Sequence, residues 1–178
     1  SAVFDATSPS CTVDIAGVCA SLNFTGYTNT ITMTNGITSS GSVTLVLAMT
    51  IAGTGNLAID NTATITTNAK SWPNSLTLSG GKTYTIADTL TIVKNLSTTG
   101  AGNVAISNGV NNLYVGGNVT IGAGTGISGV TGALIMNGTG TFSAPGSNSV
   151  SINFTIATAG TVTLTGNSPT QFAASTNL

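Results

Sequence analysis

"SLTLSGGKTYTIADTLTIV", residues Ser75–Val93, holds three short runs of one kind. Apolar residues stand two apart, at Leu76 and Leu78, Tyr84 and Ile86, Leu90 and Ile92, and most positions beside them are Thr or Ser. A period of two places the apolar pair on one face of a β-strand and the hydroxyl residues on the other. Between the runs lie "SGGK" and "AD", where glycine and aspartate suit tight turns. A helix would need an apolar stripe at a period of 3.6, which the stretch lacks.

The same unit recurs outward in both directions. It reads "SLNFTG", "TITMTNG", "SVTL", "NLAID" and "TATITT" before this stretch, and "NVAISNG", "NLYVGG", "NVTIGAG", "ALIMNGTG", "SINFTI" and "TVTLTG" after it. A core of the form [N/S/A/T]-Φ-x-Φ-x-G is recognisable from Ser21 to Gly166. Successive apolar pairs are about ten residues apart, in the range of short strands in all-β folds. The steps are irregular, unlike a strict hexapeptide or nonapeptide β-helix. The pattern predicts an all-β chain with almost no helix. Two architectures fit: a β-solenoid of stacked coils with two or three short strands each, or an antiparallel β-sandwich. The brevity of the strands, the recurrence of one motif, and Thr and Asn residues suited to ladders of like side chains favour the solenoid. No linker interrupts residues 1–178, so they read as one continuous β-repeat domain.

Charge is nearly absent. Asp, Glu, Lys and Arg make up 4% of the 178 residues, against about 25% in ordinary soluble domains. The acids are Asp5, Asp14, Asp60 and Asp88, the bases are Lys70, Lys82 and Lys94, and there is no His. Three lysines cannot build a phosphate-neutralising patch, which argues against nucleic acid as a partner. Mean hydropathy is +0.40, yet no apolar run approaches the ~20 residues of a spanning helix. Disorder is a poor fit, because the chain is rich in Val, Ile, Leu and Thr. The chain opens on Ser1, which reads as a processed protein or a piece of a longer one.

Each chemical constellation has a plainer reading beside it. Gly124-x-Gly126-x-x-Gly129 matches the dinucleotide fingerprint, but alternation rather than a helix follows it. No acid for a ribose stands after Asp88. "AGTGISG" therefore reads as a loose turn between two strands. A Ser-His-Asp triad is excluded by composition, two cysteines alone make no zinc site, and four scattered acids read as turn residues. No catalytic, cofactor or metal residue is assigned, and the chain is not read as an enzyme. Cys11 and Cys19 bracket "TVDIAGV" and are the candidate disulfide of an oxidising compartment, with two buried free thiols as the alternative. Trp72-Pro73 beside Lys70 reads as a coil corner, or as part of a sugar-binding platform. Asn-x-Ser/Thr tripeptides at Asn23, Asn95, Asn118, Asn137 and Asn153 arise readily in a chain this rich in Asn and Thr.

The stretches "AVFDATSPSCTVD" (2–14), "CASLNFTGYTNTITM" (19–33), "SGSVTL" (40–45) and "MTIAGTGNL" (49–57) resemble Gly/Thr/Asn-rich β-repeat modules. Such modules belong to phage tail-fibre-type and bacterial surface or adhesin-type proteins. "ATITTNAKSWPNSLTLSGG" (63–81), "NLYVGGNVTI" (112–121) and "LIMNGTGTFS" (134–143) resemble later repeats of such modules. The resemblance implies an extended, exposed, non-enzymatic β-structure on a cell or virion surface, and it supplies no catalytic residues.

The charge-poor surface points the same way. Outer faces of Thr, Ser and Asn hydrogen-bond readily to another chain, and near-zero net charge promotes association. A solenoid also has two open ends, and neither "SAVFDATSPS" nor "SPTQFAASTNL" looks like a charged cap. The expected role is a fibre subunit or segment whose partners are further copies or other surface proteins. A ligand-binding module, for cell-surface glycan or for ice through Thr-x-Thr arrays, is the alternative.

Overall fold

The computed structural model describes residues 1–146, 150–158 and 160–165; the closing "SPTQFAASTNL" lies outside the described residues. Among the described residues there are 21 strands and no helix. These residues wind as a β-solenoid of eight coils, each adding one strand to an eight-stranded sheet. Coil 1 comprises β1 (Ala2–Val3), β2 (Cys11–Val13) and β3 (Gly17–Cys19), and coil 2 comprises β4 (Leu22–Asn23), β5 (Thr30–Met33) and β6 (Ile37–Ser39). Coil 3 has β7 (Val43–Thr44), β8 (Thr50–Gly53) and β9 (Leu57–Ile59), and coil 4 has β10 (Ala63–Thr66) and β11 (Leu76–Ser79). Coil 5 has β12 (Thr83–Ile86), β13 (Leu90–Ile92) and β14 (Leu96–Thr99), and coil 6 has β15 (Gly102–Ser107), β16 (Leu113–Val115) and β17 (Val119–Thr120). Coil 7 is β18 (Thr125–Met136) and β19 (Gly140–Ser143), and coil 8 is β20 (Val150–Ile156) and β21 (Val162–Thr165).

Every strand pairing among the described residues is parallel, which decides for the solenoid over the sandwich. Parallel neighbours cannot be joined by a hairpin, so the chain must travel round a whole coil before it meets itself. One circuit takes 19 residues from Leu57 to Leu76 and 23 from Leu90 to Leu113. Three faces result. The first carries β1, β4, β7, β10, β12, β15, the start of β18 and the start of β20. The second carries β2, β5 and β8, then β13, β16 and the ends of β18 and β20. The third is the eight-stranded sheet running from β3 to β21.

Alternation fills the interior. On the third face one inward column runs Gly17, Ile37, Leu57, Leu76, Leu96, Val119, Phe142, Leu164. Its members from Ile37 to Phe142 are buried. Residues between the inward positions, such as Thr38, Thr77 and Ser97, lie outside and are half-buried by their neighbours above and below. At the corners glycine is required by space as well as by φ. A Cβ on Gly53, at φ 85, would lie 2.2 Å from the Met33 carbonyl oxygen one coil below.

Two local features differ from the sequence reading. Thr125–Met136, which contains "TGISG", is a single strand rather than a loose turn and a strand. Gly126 and Gly129 lie inside it: Gly126 pairs with Asn103 of β15 despite glycine's low strand propensity, whereas Gly129 takes φ 82 at the register shift between Ser128 and Val130. Its register against β20 shifts on either side of Val130, where the strand passes from the first face to the second. The second face, in turn, is broken in coil 4. There Trp72 makes an isolated bridge to Ile92 and no strand pairs with β8 from above. Trp72 donates its N–H to Thr91 O (2.8 Å) and accepts Val93 N–H (2.9 Å), so it bonds only toward coil 5. The residue after it is Pro73, which has no N–H to offer the strand below.

Candidate functional site

The first coil is the part of the molecule with the least covering. Its inward residues Ala2, Phe4, Cys11, Val13 and Cys19 are only partly buried. Their coil-2 counterparts Leu22, Phe24, Ile31 and Met33 are 1–3% exposed. Val3, Ile15 and Val18, on or beside the strands of this coil, are 62%, 74% and 79% exposed. The backbone is equally open. Ala2 and Phe4 donate up to coil 2, Gly17 donates to Gly36, and Val13 and Cys19 accept from coil 2. Peptide groups alternate in direction along a parallel strand. Those of Val3, Thr12 and Val18 therefore face away from the coil stack.

This end carries a depression of about 200 Å³, lined by Ala2, Phe4, Val13, Gly17, Val18 and Cys19, with Leu22 and Ile37 behind them. Ala2 and Gly17 are small where coils 2 and 3 place Leu22 and Val43, and Ile37 and Leu57, in the same rows. Beside it Phe4 stacks on Phe24 at 4.8 Å with planes 12° apart, and Tyr27 tilts against both. The Tyr27 phenol is anchored on the carbonyls of Thr30 (2.8 Å) and Pro9 (3.1 Å). Cys11 and Cys19 are free thiols on β2 and β3. Burial pushes the Cys11 thiol up from its ordinary value.

The hydroxyl and amide residues form ladders along the stack. At the corner leading into the third face, Asn95 Oδ1 accepts Asn118 N–H, and Asn118 Oδ1 accepts Thr141 N–H, each at 2.8 Å. Asn56 and Ser75 do the same below them, to Ser75 N–H (3.3 Å) and Asn95 N–H (3.4 Å). On the first face Thr64 lies in register with Thr85, and Thr66 and Thr83 flank them. The coil below adds Thr44 in register with Thr66, and the next coil above offers Ala105 and Ser107 in the rows of Thr83 and Thr85, so the threonine array spans coils 3–5.

The remaining singled-out residues have structural partners. Asp5 Oδ1 accepts the Thr7 hydroxyl (2.7 Å), Thr7 N–H (2.9 Å) and Ser8 N–H (3.1 Å), and these bonds, the Thr7 hydroxyl foremost, hold its carboxyl below the ordinary range. Asp88 receives Thr67 N–H (2.8 Å) and Asn68 N–H (2.5 Å) from the coil below. Both acids are thus turn residues. Trp72 is 3% exposed and donates its indole N–H to Ser75 O, so its ring is core and offers no face to a sugar. The Lys70 ammonium bonds the Met49 carbonyl, and at 3.5 Å that of Leu47, next to the break in the second face. A groove of about 310 Å³ opens there between Leu47, Ile51, Lys70 and Pro73. The sequence reading missed this break and its groove, although a proline inside an alternating stretch was the available signal. Gly124, at φ 77, is in a turn, and Gly126 and Gly129 are in β18, so no helix N-terminus follows the fingerprint. Of the Asn-x-Ser/Thr residues, Asn95 and Asn118 belong to the amide ladder, and Asn23 Oδ1 is held by Thr25 N–H and Oγ1.

Among the described residues no group of three or more Asp, Glu, His or Cys side chains could hold a metal. Among the same residues no helix is long and apolar enough to cross a membrane. No family model, curated protein or solved structure matches the chain. The class that the fold defines is therefore that of the parallel three-faced β-solenoids.

Proposed function

We propose that this solenoid is a non-enzymatic structural element, a subunit or segment of a fibre on a cell or virion surface. The observation that carries the reading is the charge-poor parallel coil stack, whose every coil presents an apolar core section and backbone edge to the next. An edge of that kind templates another β-chain unless something covers it. Natural edges are usually guarded by charge, and here only 4% of residues are charged. The interior sheets already stack coil on coil by backbone bonds and apolar columns, so a further coil continues a contact the chain makes with itself. Sedimentation velocity over a range of concentration and salt tests this. Reversible or irreversible growth that hardly changes with salt is expected, because few ion pairs are there to be screened. A single monomeric boundary throughout would end the proposal.

A second reading rests on Thr44, Thr64, Thr66, Thr83 and Thr85, which form a three-coil hydroxyl–methyl array on the first face. It makes the chain an ice-binding module, tested by thermal hysteresis with a Thr64→Lys, Thr85→Lys variant as control. A glycan array tests the corresponding adhesin role.

A further inference from the structure

The break in the second face leaves a rung unfilled in the middle of the stack. Ile51 of β8 is aligned with Ile31 on the inward side, yet it is only half-buried, where Ile31 and Ile92 are 1% and 0% exposed. Leu47 beside it is 65% exposed. The groove of about 310 Å³ between coils 3 and 4 therefore reaches the core, with Leu47, Ile51 and Pro73 as its apolar lining.

Its walls carry backbone groups. Thr50 and Thr54 donate down to the Asn29 and Met33 carbonyls, so the N–H and C=O of Ile51 face up toward coil 4. No backbone group of coil 4 meets them. Across the groove the Trp72 N–H points to coil 5, and the planar trans peptide directs Ser71 C=O the other way, toward coil 3. Pro73 has no N–H with which to close the gap. In the same segment Asn74 is 1% exposed and its Nδ2 has no hydrogen-bond partner.

Lys70 supplies the charge. Its ammonium bonds the carbonyl of Met49, two residues before Ile51, and at 3.5 Å that of Leu47. Both partners are neutral. The corner that carries it is fixed from three sides. Asn68 and Ala69 have φ 49 and 63, Asp88 accepts the N–H groups of Thr67 and Asn68, and Asn68 Nδ2 donates to Leu45 O (2.7 Å). Backbone in that region persists only where its surroundings hold it.

We infer that this groove takes one extended peptide strand of another molecule, inserted between β8 and the Trp72 segment, with an apolar side chain on Ile51 and a carboxylate on Lys70 two residues away. A peptide offers N–H and C=O along both of its edges, which is what Ile51 and Ser71 leave unanswered. Residues two apart on a strand share a face, so the apolar and acidic side chains reach the groove together. The mode is strand addition, at an edge inside the stack. It is independent of the fibre reading.

The probes are acetyl-Asp-Thr-Val-Thr-amide and its reversed sequence, which cover both strand directions, the same pair with Asn in place of Asp, and pentagalacturonate as an acidic sugar. In calorimetric titration of the full chain, one Asp peptide should bind 1:1 and at least about fivefold tighter than its Asn counterpart. That preference should vanish in Lys70→Met and persist in Lys94→Met. Exchange of the Ile51 amide should slow at least about tenfold in the complex, and this readout decides alone if Lys70→Met melts below wild type. The inference fails if neither Asp peptide binds at about 1 mM, if Asp and Asn peptides bind alike, or if Ile51 exchange is unchanged. Tighter binding of pentagalacturonate, with displacement of the peptide, would make the groove a sugar site and overturn it equally.

Discussion

Tyr84→Phe should destabilise the solenoid at its centre, by an amount the structure sets. The Tyr84 ring lies inside coil 5 with no exposed surface. Its hydroxyl accepts Ser79 N–H of coil 4 (2.9 Å) and reaches Ile59 O of coil 3 (2.9 Å) and Ser79 O (3.0 Å). Ile59 is aligned with Leu78, so a direct rung from Ser79 N–H to Ile59 O would be the next in the ladder. The phenol is inserted in that rung and ties three successive coils together. Phenylalanine keeps the packing but leaves a buried N–H and a buried carbonyl unpaired, at a cost of about 1–3 kcal/mol. For a chain of this size that is a fall in Tm of about 2–12 °C. Burial also pushes the phenol up to about 12 from 10.0. The folded state thus favours the neutral phenol. The stability this contributes is complete below the unfolded value, near pH 10, and is lost as pH rises through 12. Thermal melts of both proteins from pH 7 to 12, with phenolate absorbance recorded alongside, are the assay. The difference between wild type and Tyr84→Phe should be constant up to pH 10 and then shrink, and the highest-titrating tyrosine should vanish from the variant. A variant within about 0.5 kcal/mol of wild type at pH 7 would refute the reasoning, since the two strands would then have closed the rung directly.

Further expectations follow from other parts of the coil. Ala69 has φ 63 without being glycine, so Ala69→Gly should raise stability by up to about 1–2 kcal/mol in a chemical-denaturation curve. Gly138→Ala should lower it by about 1–3 kcal/mol or more, because its Cβ would lie 1.9 Å from the Gly116 carbonyl oxygen. The buried Thr98 hydroxyl bonds Thr125 Oγ1 (2.5 Å) and Gly122 N–H (3.0 Å). Thr98→Val should therefore cost about 1–3 kcal/mol, and hydrogen exchange should localise the loss to coils 5–7. Alkylation without prior reduction should label both cysteines, as the free thiols of the structure require, with Cys11 reacting slowly at neutral pH because burial disfavours its thiolate.

The strands were largely legible because alternation is a local property. Leu76 and Leu78, Tyr84 and Ile86, and Leu90 and Ile92 are all inward and buried, as their spacing predicts. The choice between solenoid and sandwich was not local. A strand with one buried face alternates identically in both, and the parallel ladder of Leu57, Leu76 and Leu96 joins residues a whole circuit apart. The circuit length drifts between 19 and 23 residues because corners absorb insertions, which blurs any exact repeat. Gly126 and Gly129 misled for a related reason: glycine reads as a turn, yet Gly126 pairs with Asn103 inside β18, and Gly129 keeps its φ of 82 at a register shift within the same strand. The uncovered first coil was only half visible. The missing charge showed in composition, whereas the exposed peptide groups at Val3, Thr12 and Val18 and the hole over Gly17 depend on which direction each strand bonds.

The most direct test of the account is the helical rise of the assembled protein measured by cryo-electron microscopy. Among the described residues the third face has eight strands, and parallel neighbours lie about 4.8 Å apart, so a filament whose coil stacks run along its axis should have an axial repeat of at least about 38 Å per copy. A filament with that axial repeat, built from the folded solenoid, is the result the account predicts. A rise of one strand spacing per copy, the signature of flat refolded chains in a cross-β stack, or a protein that remains monomeric on the grid at every concentration, would contradict it.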